Sequence, residues 1–225
     1  MQNQTQGEKA LQGLLDLINK NNYQPGDKLP TEKELSEILD VSKNMVREAL
    51  RVLVSRNIVV IRQGAGTFIS EKRGVVDDPF GFSMVKDKRK LTEDILQIRS
   101  VLEPPIAALA AQNGTEKDFE ELKRTLCDLE QAMLSKESYF ALDAKFHQKI
   151  AECTHNMLMT NLVPVISAGI NLFSKEVGEK EYEETMRSHR SICEAIVNRR
   201  PAEAQQRMMY HILYNDERYR KEKEE

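Results

Sequence analysis

From Thr92 onward, apolar residues recur almost without interruption at the spacing of an α-helix. Six helices are predicted there, near 92–112, 116–135, 137–154, 156–178, 180–198 and 202–222. We expect Pro104-Pro105 to kink or divide the first helix and Pro164 to bend the fourth, because proline removes a backbone donor. Arg200-Pro201 marks a helix boundary, since proline suits the first position of a helix. The second half of the chain is therefore predicted to be an all-helical bundle.

The first 70 residues predict a different unit. A first amphipathic helix is followed by a second that opens on a capping box, Thr31 with Glu34, and by a third that Ser42 can cap. Two short β-type runs at 58–61 and 67–69 then flank a glycine-containing loop, as in a hairpin. Helix, helix, turn, helix and hairpin is the order of a winged helix-turn-helix. The predicted fold class is mainly α, with a small β-hairpin wing.

The length and composition of the chain allow two domains and indicate in which cellular compartment they are expected. The chain has 225 residues, of which 31% are charged and 40% hydrophobic, as expected for packed helices. We predict a DNA-binding domain at 1–70, a linker at 71–90 that contains a charged run, and a helical domain at 91–225. Without an apolar run that could span a bilayer or a signal-like N-terminus, the chain is expected to be cytoplasmic, with no membrane partner.

The cysteines and the net charge exclude two simple interpretations. Cys127, Cys153 and Cys193 are far apart and odd in number, which argues against a disulfide framework or a cysteine-based zinc site. The net charge of −3 does not by itself indicate nucleic-acid binding. Any contact with DNA must therefore depend on a local basic surface.

The third helix has the residues that such a surface needs. A helix in the major groove requires polar or cationic side chains near its N-terminus and an apolar back. Arg47 could chelate a guanine edge, Asn44 could pair with a base edge or a phosphate, and Ser42 could hold a phosphate at the helix start. Lys33 on the preceding helix would face the DNA backbone, and the slim loop 63–66 could reach the minor groove. The alternative is an ordinary solvated face of charged residues.

The helical half contains a candidate metal site. Asp143 and His147 are four residues apart and share one helix face. His189 and His211 lie at equal distances in sequence before and after Arg200, so an antiparallel helix pair would place them at the same height. Three imidazoles and one carboxylate suit a divalent transition metal, with Zn²⁺ as the first choice and Ni²⁺ or Mn²⁺ as alternatives. The fourth histidine is expected to be an ordinary polar residue.

Arg99 is a candidate partner for an anion. It lies three residues from both Leu96 and Leu102, on or near an apolar helix face. A guanidinium that points inward from such a face needs a negative charge beside it. The alternative is an exposed helix cation.

The N-terminal motifs resemble those of the GntR family of bacterial transcription regulators. The similarity is carried by Tyr23-Gln24-Pro25-Gly26-Asp27-Lys28-Leu29-Pro30-Thr31-Glu32-Lys33-Glu34-Leu35, by 41–50 and by Gly64-Ala65-Gly66-Thr67-Phe68-Ile69. The resemblance implies contact with operator DNA at seven positions: Lys33, Ser42, Lys43, Asn44, Arg47, Gln63 and Gly64. Arginine is common in that family where this chain has Lys33 and Lys43. Lysine keeps the attraction to phosphate but lacks the fork that reads guanine.

The helical half resembles the FCD domain of the FadR subfamily. The matching features are Arg99 with Leu102-Glu103, the segment 143–150, and the histidines at 189 and 211. The resemblance implies the metal-binding branch, in which the metal and an arginine at the position of Arg99 hold a small organic acid. One departure is Ser188, where an acidic residue often precedes the third ligand; this could alter the contacts that orient His189.

The function predicted from these features is a ligand-responsive DNA-binding transcription regulator and not an enzyme. It would act as a homodimeric repressor on palindromic half-sites, and a sugar acid or a hydroxy or keto acid would change its affinity for the operator. One alternative is a metal-dependent hydrolase, although no carboxylate is obviously placed as a general base. Another is a DNA-binding protein whose metal is purely structural.

Overall fold

The computed structural model describes residues 5–72, 74–76, 78–135, 138–171 and 179–221, with the backbone alone at 168–171 and 179–182. Its internal contacts divide the chain into two compact units, Met1–Pro79 and Phe80–Glu225. Each unit has its own hydrophobic core. Predicted helical residues at 137, 172–178 and 222 lie outside the described residues, as does the end of the chain.

The first unit has the predicted winged helix-turn-helix order. Its elements are α1 (Gln6–Lys20), α2 (Glu32–Leu39), α3 (Lys43–Ser55), β1 (Val59–Arg62) and β2 (Gly66–Ile69). The capping box of Thr31 with Glu34 is confirmed at α2, and Ser42 accepts a hydrogen bond from Met45 N at the start of α3. Apolar residues of all three helices and both strands form one core, which fixes the exposed face of α3.

The hairpin forms the wing of this unit. β1 and β2 pair antiparallel, with Val59 opposite Ile69 and Arg62 opposite Gly66. The segment before α2 lies along the other edge of β2, where Leu29 N donates to Thr67 O at 2.8 Å. Gly66 has φ +119°, and a Cβ there would lie 2.8 Å from Lys28 Cε. The positive φ favours glycine at this position, and any larger residue would also displace the end of the Lys28 side chain.

The second unit is an all-helical bundle, as predicted. Its helices are α4 (Lys88–Asn113), α5 (Glu116–Leu134), α6 (Phe140–Glu152), α7 (Met157–Asn171), α8 (Glu179–Val197) and α9 (Pro201–Lys221). A short 3₁₀ turn, Phe82–Met84, precedes them. α4 packs most extensively against α9, which also packs along α8, and α6 contacts α4, α5 and α7. No described helix combines the length and hydrophobicity needed to cross a lipid bilayer.

The start of α4 and its course through two prolines differ from simple expectation. The helix begins at Lys88, inside the segment 71–90, because Asp87 accepts a hydrogen bond from Lys90 N and so caps it. It also continues through Pro104-Pro105 as a single helix of 26 residues. The two lost backbone donors do not divide it, since apolar residues on both sides of the prolines are buried in the bundle.

Candidate functional site

The structure brings the four predicted metal ligands together in the helical bundle. Asp143 and His147 are on α6, His189 is on α8 and His211 is on α9. Arg199 adopts φ +54° before α9 begins at Pro201, so α8 and α9 form the expected antiparallel pair. The rings of His189 and His211 consequently lie level, with centroids 4.5 Å apart.

The three imidazoles form a compact, buried group. One ring nitrogen from each of His147, His189 and His211 lies within 4.8 Å of the others. Asp143 closes the group, with Oδ1 3.2 Å from His189 Nε2 and Oδ2 3.9 Å from His147 Nε2. The three histidine side chains are at most 1% exposed, whereas that of Asp143 is 22% exposed. Asp143 is therefore the partly exposed member of an otherwise buried group.

The donor atoms of this group fit a metal ion. In the part of the chain that the structure describes, both ring nitrogens of His147 and both of His189 are buried without a well-oriented hydrogen-bond partner. Buried polar atoms in proteins are nearly always partnered, because an unpaired one loses the hydrogen bonds that water gave it. Coordination of a cation through one nitrogen of each ring would remove half of this deficit, and nitrogen with carboxylate oxygen is a donor set that zinc accepts.

The protonation states also suit a cation. Burial lowers the pKa of His189 although the contact with Asp143 opposes the shift. Burial and the neighbouring rings of His189 and His147 hold the pKa of His211 well below its usual range. Burial disfavours ionisation of Asp143, but His189, His147 and Arg99 outweigh it and lower its pKa. Neutral imidazoles and an ionised carboxylate are the forms that bind metal.

Glu103 on α4 also contacts this group, a role that the sequence did not assign to it. Its Oε2 lies 2.6 Å from His147 Nδ1. A carboxylate at that position favours the tautomer protonated at Nδ1 and leaves Nε2, on the side of Asp143, for a metal ion. The sequence contained one signal, since Glu103 stands four residues after Arg99 on the same helix face.

Arg99 points inward as the sequence suggested, and its anion is supplied by the chain itself. The guanidinium is 3% exposed; its Nε contacts Glu103 Oε1, and its Nη2 donates to Oε2 at 3.2 Å. Burial opposes the ionisation of Glu103, but the charge of Arg99 and the contact with His147 lower its pKa to about 2. The pair therefore remains ionised, and it links Arg99 to the histidine group through one carboxylate.

Ser188, which the sequence linked only to the orientation of His189, contacts His211. Its Oγ donates to Thr185 O at 2.8 Å and lies 2.9 Å from His211 Nδ1. Nδ1 of His211 is then the protonated nitrogen, and Nε2 accepts a hydrogen bond of 3.1 Å from Asn215 Nδ2. A metal ion at Nε2 would replace this last hydrogen bond. His155 lies outside the group, on the surface, with Nε2 2.9 Å from Asp118 Oδ2.

The predicted DNA-contacting residues are exposed on the first unit. They occupy α2, the N-terminal part of α3 and the loop between β1 and β2: Lys33, Ser42, Lys43, Asn44, Arg47, Gln63 and Gly64. Two further cations, Arg62 and Lys28, lie over the ring of Phe68 on the wing, with distances to its centroid of 4.6 and 5.9 Å. The first unit therefore exposes cations on α2, α3 and the wing, interspersed with carboxylates such as Glu32.

Arg47 has a partner that the sequence did not reveal. Its Nη2 donates to Glu32 Oε2 at 2.7 Å and its Nε donates to Glu32 Oε1 at 3.3 Å. Glu32 is the first residue of α2, so the pair connects the two helices of the helix-turn-helix. Both side chains are partly exposed, and the contact lies on the protein surface.

Comparison with known families agrees with both units. Residues 6–69 match the gntR family of bacterial regulatory proteins, and residues 94–214 match the FCD domain. The chain belongs to the GntR family. Its N-terminal unit is the helix-turn-helix domain of that family, and its C-terminal unit is an FCD domain.

Several relatives of this GntR protein are transcription regulators. The Uxu operon transcriptional regulator of Escherichia coli is 36% identical over 154 residues, which are 66% of this chain and 58% of that relative. The regulator LutR of Bacillus subtilis is 29% identical, over 87% of this chain and 93% of its own. The galactonate operon transcriptional repressor of E. coli is 24% identical, over 77% of this chain and 79% of its own.

A solved structure also resembles the whole GntR chain. A GntR protein of Streptococcus agalactiae is 38% identical, with a TM-score of 0.83 over 94% of this chain and 99% of that one. The family and these relatives are transcription regulators and not enzymes. A GntR helix-turn-helix implies operator DNA as a partner, and an FCD domain implies a small-molecule effector.

Proposed function

We propose that this chain is a metal-dependent sensor of a small organic acid and that the sensor controls operator binding. The observation that carries the proposal is the buried group of ring nitrogens from His147, His189 and His211 beside Asp143, in which the ring nitrogens of His147 and His189 have no well-oriented hydrogen bond. Burying such polar atoms without well-oriented hydrogen bonds costs stability. A ligand for them is the simplest physical reason for their presence.

The proposed metal ligands are Asp143 and the Nε2 atoms of His147, His189 and His211. Zn²⁺ is the first choice for this donor set, and Ni²⁺ and Mn²⁺ remain alternatives. When bound, the ion supplies positive charge and open coordination positions that a carboxylate can occupy. Glu103 and Ser188 contact the Nδ1 atoms of His147 and His211, and these contacts hold both rings with Nε2 toward the ion.

The proposed effector is a sugar acid or a hydroxy or keto acid. Glu103 connects Arg99 to the proposed ligand His147, because its carboxylate contacts both side chains. Arg99 has further N–H donors beyond the two whose hydrogen bonds Glu103 accepts. An effector carboxylate could therefore bridge the ion and Arg99 in a charge-assisted contact. One relative is named a galactonate operon repressor, which supports a sugar acid.

The proposed output is repression that the effector relieves. Two copies would read the half-sites of a palindrome, each with α3 in the major groove and the wing loop at the minor groove. Apolar side chains exposed on α4, Ile98 and Val101, support pairing of two copies. Effector binding would change operator affinity by about 1–3 kcal/mol through the segment 71–90.

The DNA-binding part is tested by gel shift on an operator selected from random DNA. Arg47→Ala should abolish specific binding while circular dichroism stays unchanged, because a bidentate contact to guanine is lost. The exposed Arg190, which pairs with Glu130 in the helical unit, supplies a control as Arg190→Ala, with normal binding expected. Unchanged specific binding by Arg47→Ala would contradict the assignment.

The sensing part is tested by a thermal-shift screen of sugar acids and hydroxy acids on zinc-loaded and chelated protein. An effector should raise the melting temperature of the loaded protein only, and it should weaken operator binding. If zinc raises the melting temperature but no acid changes DNA affinity, the metal is structural. Hydrolysis of ester or amide substrates by the loaded protein would instead point to an enzyme.

A further inference from the structure

We propose that Glu32 is a positioning residue for base recognition, which holds one edge of Arg47 so that the other edge faces a guanine. The inference rests on the proposed role of Arg47 in reading operator DNA. It assigns to Glu32, a residue with the wrong charge for a DNA contact, a part in determining which base pair is accepted.

The geometry of the pair leaves a complete recognition edge free. A guanidinium has five N–H donors, which form a side edge (Nε with Nη2) and an end edge (Nη1 with Nη2). Glu32 takes the side edge, with Nη2–Oε2 at 2.7 Å and Nε–Oε1 at 3.3 Å. The end edge of Arg47 keeps one N–H on each nitrogen, the pattern that matches O6 and N7 of guanine.

Glu32 is itself held in place. It is the first residue of α2, directly after the capping-box residue Thr31, whose Oγ1 and backbone N both donate to Glu34. Its carboxylate hydrogen-bonds Arg47, and the charges of Lys43 and Arg51 act in the same direction, so its pKa lies below the usual range despite some burial. Glu32 is therefore ionised whenever the protein meets DNA at neutral pH.

Stability alone does not account for this contact. Both side chains are partly exposed, 49% for Arg47 and 39% for Glu32, and exposed ion pairs contribute little to folding. Arginine is a long side chain that loses much rotamer freedom when it binds a base. Because Glu32 fixes the side chain beforehand, part of that entropy is lost before DNA arrives, and binding is favoured for the base that fits the fixed edge.

A second role for the same contact predicts the opposite result. Glu32 could act as a gate that occupies Arg47 until DNA displaces it. Removal of a gate would strengthen operator binding and leave the preference for guanine intact. Removal of a positioning residue would weaken that preference, while affinity for unrelated DNA would stay equal or rise because a charge that repels phosphate is gone.

The experiment uses the full-length chain and an operator that the wild type selects from a random DNA pool. Fluorescence anisotropy then measures Kd for this operator and for versions in which each G·C pair is replaced in turn. Variants are Glu32→Gln, Arg47→Ala and, as a matched control, Glu48→Gln. Glu48 lies on α3 and pairs with Arg51 at 2.6 Å, so its change removes the same charge and also frees an arginine.

We expect one G·C pair whose replacement weakens wild-type binding by about tenfold or more, and Arg47→Ala should erase this difference. Glu32→Gln should erase most of it with unchanged melting temperature, and Glu48→Gln should preserve it. Full discrimination by Glu32→Gln, with or without tighter operator binding, would overturn the inference and leave the role of Arg47 intact. If Arg47→Ala leaves every base preference unchanged, the proposed reading residue is wrong and this inference falls with it.

Discussion

Glu103 shows how one buried carboxylate can serve two partners. It neutralises Arg99 and contacts Nδ1 of His147. A carboxylate on α4 therefore acts directly on a proposed metal ligand on α6. The spacing of Arg99 and Glu103 was visible in the sequence, but the contact with His147 was not. It depends on how α4 packs against α6, and periodicity does not specify that packing.

We expect Glu103→Gln to weaken zinc binding by about tenfold to a hundredfold, because the ring of His147 loses the charge that orients it and raises its basicity. Competition with a chromogenic chelator would measure the change, and circular dichroism would verify the fold. Glu121→Gln is the control. Glu121 on α5 pairs with Lys149 on α6 and contacts none of the proposed ligands in the ion pairs described. Equal zinc affinity in folded Glu103→Gln and wild type would contradict this role.

The buried histidines predict a pH dependence for the chelated protein. The pKa of His211 in the folded state lies well below its ordinary value of 6.5. Below pH 6.5, His211 is protonated in the unfolded chain but stays neutral in the folded chain. The free energy of unfolding therefore decreases as the pH is lowered, until the pKa of the folded state is reached. One such group changes the free energy of unfolding by up to about 1.4 kcal/mol per pH unit.

Urea unfolding between pH 7 and pH 5 tests this dependence above the range in which the site's carboxylates titrate. His211→Asn should show a shallower loss of stability than wild type as the pH falls. Identical slopes would mean that burial of His211 is not the source of the dependence.

At the scale of elements, the sequence predicted the fold well where a local signal was strong. Helix periodicity, the capping residues Thr31 and Ser42 and the glycine-containing wing loop all have local causes, and the structure confirms the elements that they specify. Pro104-Pro105 predicted either a kink or a division of this helix, and tertiary packing keeps the helix undivided. The contacts of Glu32 with Arg47 and of Ser188 with His211 were not predicted, because both cross between helices.

The capping box of α2 is expected to contribute about 1 kcal/mol to the stability of the DNA-binding unit. Thr31→Ala leaves Glu34 N without the acceptor that Thr31 Oγ1 provides. Thermal and urea unfolding should show a loss of about that size. Thr31→Ser keeps the hydroxyl and should be nearly neutral, so an equal loss in both variants would show that capping is not the cause.

At the scale of the whole molecule, a net charge of −3 hides two units with different tasks. One exposes cations on α2, α3 and the wing, and the other buries three imidazoles between helices, beside the partly exposed carboxylate of Asp143. The match of each unit to its own family supports a regulator in which one unit senses and the other reads DNA. This division is the reason to interpret the histidine group as a sensor and not as a catalytic site.

The proposed sensor depends on a metal ion held by Asp143, His147, His189 and His211. Mass-spectrometric metal analysis after zinc loading and desalting tests it most directly, with His147→Ala and His189→Ala beside wild type. His155→Ala, at a surface histidine outside the group, is the control. We expect about one zinc per chain in wild type and in the control, and almost none in the other two. A wild type without metal, or full metal content in His147→Ala and His189→Ala, would contradict it.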